Sequence, residues 1–326
     1  MSEPLHTNLG NIIYIYENLK KYSDVNHILS VKDIIKYVEK EYGESIEDRT
    51  VRRNIRVLIE KLNVDISTFK ENRKGYYLQT KDFELSEVQT LIGLIQYSKF
   101  IDDFFSKDIV VRLKGLLNQY ELNLIDDVRD TDIYCKNIKT VNKEVLANIE
   151  VLLENIKAKN KIEFEYHLYG IDKKLHKVRN EVVSPFAILC ENEFLYLVCH
   201  SEKYNGYGYY RLDKMKNIKN TNKPIIKLDY SIQEFIESSV YMYGGKKEKV
   251  VLKCSMYILD YVIEKFGNDI QIQKIDNNYF KVTLNVCTKG LEMWILQYIK
   301  YVEVLKPISL KEKIKRELKG ALKKYE

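Results

Sequence analysis

Arg49, Arg52, Arg53 and Arg56 follow one another at i, i+3, i+4 and i+7. At about 100° per residue, that spacing gathers four guanidinium groups on one face of a helix expected over residues 47–62. Val51, Ile55, Leu58 and Leu62 fall roughly opposite, so the helix is expected to dock by its apolar side and present arginine outward. A guanidinium fork donates two parallel hydrogen bonds, a geometry suited to phosphates and to the guanine edge. Thr50 and Asn54, interleaved with the arginines, are further candidates for contact with DNA. Glu47 and Glu60 stand close enough in sequence to pair with these arginines, so spacing alone leaves a solvated charged face as the alternative.

Nothing comparable speaks for catalysis. The sequence has no Gly-x-x-x-x-Gly-Lys loop, no His-Glu-x-x-His and no Gly-x-Ser-x-Gly elbow. Gly206-x-Gly208 lacks the third glycine and the preceding βαβ context of a dinucleotide fingerprint and reads as a hairpin turn. Glu163 with Glu165, and Asp126 with Asp127, are neighbours in sequence only. Cys135, Cys190, Cys199, Cys254 and Cys287 are odd in number and form no Cys-x-x-Cys pair, which fits reduced thiols, and His167, His176 and His200 match no standard metal spacing. No enzyme activity, cofactor or metal is expected.

The elements that must hold the arginines come in a telling order. Ile12, Ile13, Ile15, Tyr16 and Leu19 have near-helical spacing, and a second helix opens at Ser30 and Asp33, a capping-box arrangement, and runs to Gly43. After the arginine helix, Val64 to Leu78 alternates loosely around the polar stretch Glu71 to Gly75, predicting a hairpin tipped by Arg73 and Lys74. A third helix followed by a basic-tipped hairpin is the order of a winged helix-turn-helix, whose recognition helix enters the major groove while the wing touches phosphates. One such helix reads a half-site, so a homodimer is expected. Residues 1–80 carry 13 Lys and Arg against 12 Asp and Glu, which argues for a local footprint on DNA and against indiscriminate polyanion wrapping.

Residues 81–141 read as a helical connector, with Val88, Leu91, Ile92 and Ile95 and later Val110, Leu113 and Leu117 at helical spacing. Val145, Leu146, Ile149, Leu152, Leu153 and Ile156 predict one more helix with a single buried stripe. The period then changes to two: Ile162, Phe164 and Tyr166, then Val182 to Cys190, Phe194 to His200 and Tyr207 to Leu212, predict a small antiparallel barrel or sandwich within 142–223. Residues 224–326 mix strands and helices in an α+β domain that ends in a helix after Pro307, for which Ser309 and Glu312 suggest a capping box. The fold class expected is therefore multidomain α+β. Of the 326 residues, 45% are hydrophobic and 31% charged, with only 13 Gly and 4 Pro, which excludes global disorder. The net charge of +6 is compatible with a polyanionic partner without requiring one. No apolar run approaches a membrane span and the start, Met-Ser-Glu-Pro, lacks signal-peptide character, so a cytoplasmic protein with no membrane contact is expected.

Over nearly its whole length the sequence resembles the WYL-domain transcriptional regulators of bacteria. Asp48 to Ile55 is similar to the family's recognition helix, and Lys74-Gly75-Tyr76-Tyr77-Leu78 to its wing ending. Phe164-Glu165-Tyr166, Val183 to Leu189, Leu195-Tyr196-Leu197 and Tyr210 to Met215 are similar to the WYL domain, and Gly290 to Leu296 and Val302 to Pro307 to the C-terminal extension. The name-giving tripeptide lacks its tryptophan here, the usual Asp-Arg ending is Asp213-Lys214, and Glu181 stands where an arginine is common, with Arg179 two residues earlier. The resemblance implies a small Sm-like barrel that senses a nucleotide or single-stranded nucleic-acid effector, joined to a winged helix that binds a duplex DNA operator. It implies Tyr196, Arg211 and Lys214 as ligand contacts, with Tyr166, His200, Tyr209 and Asp213 beside them, since a cation among aromatic rings pairs with phosphate and stacks a base. Two alternatives stay open: an Arg211–Asp213 pair that is purely structural, and an RNA-binding or single-strand-binding accessory protein acting through the barrel.

Overall fold

The computed structural model describes residues 8–129, 138–204, 206–226, 232–244 and 247–326. Cys135 and the first residues of the chain lie outside them. The chain divides into two compact units, 1–139 and 140–326.

In the first unit, α1 (Asn8–Tyr22), α2 (Val31–Tyr42) and α3 (Asp48–Leu62) enclose a core of Ile15, Leu19, Ile34, Val38, Val51, Ile55 and Leu58. The start of α2 is fixed as its sequence predicts: the Ser30 hydroxyl accepts from the Asp33 amide at 3.2 Å and the Asp33 carboxylate accepts from the Ser30 amide at 2.9 Å. Beyond α3 the expected hairpin contracts to two-residue strands, β1 (Ile66–Ser67) and β2 (Tyr77–Leu78), because Thr68 and Glu71 cap one helical turn, α4 (Phe69–Asn72), between them. The Asn72 side chain then organises the tip. Its oxygen accepts from the amides of Lys74 and Gly75, and its amide donates to Ser67 and to the Gly75 carbonyl. Tyr76 and Leu29 exchange two backbone bonds, tying the loop to the residue ahead of α2. Three more helices, α5 (Leu85–Tyr97), α6 (Asp103–Lys114) and α7 (Gln119–Arg129), complete the unit around Val88, Ile92, Val110 and Leu117. They are packed onto the first three helices: the His27 ring stacks on Tyr120 at 3.4 Å, and Asn118 donates to Asp24.

The second unit begins with α8 (Val145–Ala158) and a five-stranded antiparallel sheet of β3 (Asn160–Tyr169), β4 (Leu175–Glu191), β5 (Phe194–Ser201), β6 (Gly206–Arg211) and β7 (Met215–Pro224). The order is β6-β5-β4-β3-β7. Its two edge strands are consecutive in sequence, joined only by a 3-10 turn at Leu212–Lys214. Laid flat, five strands would hold the edges about 19 Å apart, farther than about 14 Å of extended chain from Arg211 to Met215 can bridge, so the sheet curls. Across the inside of that curl the Phe164 ring of β3 lies 5.1 Å from Tyr210 of β6, although two strands, β4 and β5, separate them in hydrogen-bonding order.

The buried stripe of α8 is the expected one only in part. Val145, Asn148, Leu152 and Asn155 face inward while Leu153 is exposed. The turn between β6 and β7 leaves backbone carbonyls that aliphatic side chains cannot satisfy. Asn148 donates to the Met215 carbonyl at 3.0 Å, and Asn142 to those of Asp213 and Met215.

The remainder comprises α9 (Ile232–Ser238), β8 (Lys247–Ser255), α10 (Leu259–Phe266), β9 (Gln271–Lys274), β10 (Tyr279–Cys287), α11 (Thr288–Gln297), β11 (Val302–Lys306) and α12 (Ile308–Leu322). The strands form an antiparallel sheet ordered β11-β8-β10-β9 over a core that includes Val250, Leu252, Val282, Leu284, Trp294 and Ile314. The expected Ser309–Glu312 capping box is absent: α12 starts two residues earlier, with Pro307 as its cap and no side-chain bond. No helix among the described residues is long and apolar enough to cross a membrane.

Two close approaches test this packing. A Cβ on Gly75 would sit 2.2 Å from the Leu29 carbonyl oxygen, and one on Gly290 would sit 1.9 Å from that of Val240. Gly75→Ala is expected to destabilise the first unit and Gly290→Ala the second, each by about 2 kcal/mol or more, read as lowered denaturation midpoints.

Candidate functional site

Helix α3 has the two faces its sequence predicts. Val51, Ile55 and Leu58 are buried, whereas Arg49, Arg52, Arg53 and Arg56 are exposed and Thr50 is half-buried. Asn54 corrects the expectation. It lies three residues from Val51 and four from Leu58, which turns it into the core at 5% exposure with its side-chain nitrogen unpartnered, out of reach of DNA. Leu62, expected on the apolar face, is exposed in the last turn.

The arginines differ from one another. Arg52 donates from Nε and Nη2 to the two Asp48 oxygens at 2.6 and 3.3 Å, and this pairing holds the Asp48 carboxyl below its usual range. Arg56 only approaches Glu60, at 4.0 Å. Both pairs are i, i+4 contacts in water, worth little to stability, so they do not account for four arginines on one face. Arg73 and Lys74 are exposed at the loop tip, with Arg73 in the left-handed conformation that ends α4. Tyr76, two residues beyond Lys74, lies within electrostatic range of the Arg52 guanidinium, so the root of the loop adjoins the arginine face.

On the curled sheet, strand pairing sets Tyr196 opposite Arg211, Val198 opposite Tyr209 and His200 opposite Tyr207. Arg211 binds Asp213 through two bonds, at 3.0 and 2.8 Å, and its guanidinium carbon lies 3.4 Å from the Phe194 ring centroid. Asp213 is 2% exposed, which makes it the buried counterion of Arg211 and removes it from the ligand contacts. Tyr209 is also committed elsewhere: its ring stacks on Phe235 of α9 at 5.0 Å and its hydroxyl donates to Ser239 at 2.8 Å. Tyr166 lies inside the curl, edge-on to Tyr210, and burial pushes its phenol up. His200 is buried with Nδ1 unpartnered, and burial pushes its pKa below the ordinary value.

The candidates still open to a ligand are Tyr196, Arg211 and Lys214. Tyr196 and Lys214 both lie within electrostatic range of the Arg211–Asp213 pair; burial and the Arg211 charge lower the Lys214 pKa against the opposing pull of Asp213. Tyr196 feels the Arg211 cation and the Asp213 and Glu191 carboxylates, and Lys214 adds a second cation on the ion pair, so an aromatic-bearing anion would have to draw on Lys214 and on the part of Arg211 that Asp213 leaves open. Sequence reasoning missed Phe194, whose ring supports Arg211 and whose place beside Tyr196 on β5 was its only signal. It also missed Arg179, which lies 5.1 Å from the Tyr166 ring centroid and pairs with the buried Glu181. A register shift between Tyr166 and His167 hid that contact from strand alternation. A separate cleft of about 870 Å3 runs between the end of β4, α9, α10 and β10, where Lys265 pairs with Glu191 at 2.9 Å. Among the described residues no cluster of three His, Cys, Asp or Glu side chains is arranged to hold a metal.

The model of the WYL domain matches residues 147–220, the curled sheet with α8, and that of the WCX domain matches residues 246–322, the four-stranded sheet with its helices. The chain is a WYL–WCX protein. No curated protein matches its sequence. Among solved structures, Proteasome accessory factor B/C (PafBC) of Arthrobacter aurescens is similar at 13% identity and a TM-score of 0.28, covering 97% of this chain and 49% of that one. The chain thus spans about half the length of PafBC. A CRISPR Cas-related protein is similar at 11% identity and a TM-score of 0.35, covering 100% of this chain and 88% of its own.

Two outcomes follow from the WYL domain's electrostatics. Arg211→Ala leaves the Asp213 carboxylate buried and unpaired, and is expected to cost about 3 kcal/mol of stability in a denaturation titration, with much of it recovered when Asp213 is replaced by Asn in the same chain. His200 binds a proton less readily folded than unfolded, so the stability of its neutral, buried form is full above its ordinary pKa of 6.5 and declines as pH falls through that value. Denaturation midpoints between about pH 7.5 and 5.5 are expected to fall on acidification, and His200→Gln to flatten that slope.

Proposed function

We propose that this WYL–WCX protein is a ligand-responsive transcription regulator, without enzymatic activity, that acts in the cytoplasm as a homodimer. In this reading the first unit is a winged helix-turn-helix: α3 enters the major groove of a duplex operator with Arg49, Arg52, Arg53 and Arg56, Thr50 assists, and Arg73 and Lys74 on the wing bind phosphates. The observation that carries it is the division of α3 into a face buried at Val51, Ile55 and Leu58 and an exposed face of four arginines. The WYL sheet, read as an Sm-like barrel, senses a nucleotide or nucleic-acid-like effector through Tyr196, Arg211 and Lys214. Effector binding alters DNA affinity only if it favours one state of the protein over the other.

The stacking of Arg211 on Phe194 beside Tyr196 favours one second reading, an RNA-binding or single-strand-binding accessory protein whose main surface is the sheet. Binding to labelled duplex from upstream of the protein's own gene, against scrambled duplex and single strand over a salt series, separates the two. Arg52→Ala/Arg53→Ala is expected to weaken duplex binding about 100-fold and to shallow the salt dependence by about two ions, while Lys214→Ala leaves basal duplex binding intact. Preference for single strands, lost in Lys214→Ala and kept in the arginine variant, would establish the second reading.

A further inference from the structure

The contact between Asp48 and Arg52 has a direction that matters on DNA. The carboxylate takes Nε and one hydrogen of Nη2, the side of the guanidinium that faces back along the helix, and leaves Nη1 and the other Nη2 hydrogen pointing away from it. Those remaining donors are the parallel pair that fits O6 and N7 of a guanine. Asp48 is the first residue of α3 and Arg52 follows one turn later, so both lie in the part of a recognition helix that reaches base edges. An unrestrained arginine on this face pairs equally well with any phosphate; one held by a carboxylate has its long side chain already ordered.

We infer that Asp48 is a specificity-determining positioning residue that holds the Arg52 guanidinium in the geometry for reading one guanine in each half-site. This rests on the proposed duplex-binding function and goes beyond it by dividing the arginine face into unequal parts. Arg52 reads a base. Arg56, which has only a 4.0 Å approach to Glu60, serves as a phosphate contact. The carboxylate also enforces the choice from the other side, because Asp48 beside a backbone phosphate is repulsive and penalises every register that draws Arg52 off the base edge.

The test is enrichment of a randomised duplex pool by full-length protein, followed by affinity measurements on the winning duplex, on the same duplex with each guanine replaced by 7-deazaguanine, and on scrambled duplex. Wild-type protein is expected to select one guanine per half-site whose 7-deaza form binds about tenfold more weakly. In Asp48→Ala that tenfold penalty disappears and the ratio of selected to scrambled affinity falls by a similar factor. Asp48→Asn, which keeps one acceptor oxygen, retains part of it. Combining Asp48→Ala with Arg52→Ala gives no further loss of preference beyond Arg52→Ala alone, a coupling that a merely structural role of Asp48 would not produce. An unchanged base preference in Asp48→Ala overturns the inference and leaves duplex binding standing. Failure of wild-type protein to enrich any duplex, with a normal thermal melt, overturns duplex recognition and this inference together.

Discussion

Joining the two edge strands of a five-stranded sheet through three residues is the constraint on which the WYL domain's chemistry depends. The short turn at Leu212–Lys214 forces the curl, and the curl decides which side chains meet. Inside it, Phe164, Tyr166 and Tyr210 pack edge to face. At the turn itself the backbone leaves the regular ladder, and its carbonyls are met by asparagine amides from α8 and the segment before it. Asp213 is carried into the interior by the same turn, where Arg211 from the preceding strand neutralises it. A buried carboxylate without that partner would cost several kcal/mol. The ion pair is therefore first a condition of the turn, and the outer surface of Arg211, stacked on Phe194, is what remains for a ligand.

A parallel economy governs the first unit. Helix α3 is held by three aliphatic side chains and one asparagine facing the core, so its opposite face carries exposed side chains that the core does not require. Gly75 lets β2 approach the residue before α2, Asn72 shapes the loop that follows α4, and the loop's two cations are left exposed. Each of these is a backbone device, and together they set basic side chains on a surface that its own core does not need.

The sequence shows α3 and its arginine face because an amphipathic helix is a local pattern, fixed by residues within four of each other. The cap of α2 was legible for the same reason. The presence of strands β3 to β6 was legible too, from short runs rich in apolar and aromatic residues, whereas β7, a mostly polar run from Met215 to Pro224, was missed. What escaped depended on partners far away in the chain. Asn148 and Asn155 look like polar interruptions of the α8 stripe until the carbonyl of Met215 is placed against Asn148. Tyr209 looks like a ligand contact until Phe235 covers it. Asn54 was the exception, since its spacing of three from Val51 and four from Leu58 already sets it on the flank of the apolar face, where it is buried. The family resemblance supplied the WYL and C-terminal segments, but its tally of ligand residues did not separate those that build the sheet from those that remain open.

Acidic residues on an arginine face are at first sight a defect for a protein proposed to bind a polyanion. Asp48 and Glu60 both lower the attraction to phosphate, and residues 1–80 as a whole are close to neutral. A surface selected for affinity alone would shed them, because counterion release rewards every uncompensated cation. In a duplex-binding protein, a carboxylate bonded to Arg52 would weaken binding to all sequences and most of all to those where the arginine must leave its partner. On the proposed reading, the near-neutral balance of residues 1–80 and the carboxylate bonded to Arg52 both favour discrimination between sites over general affinity.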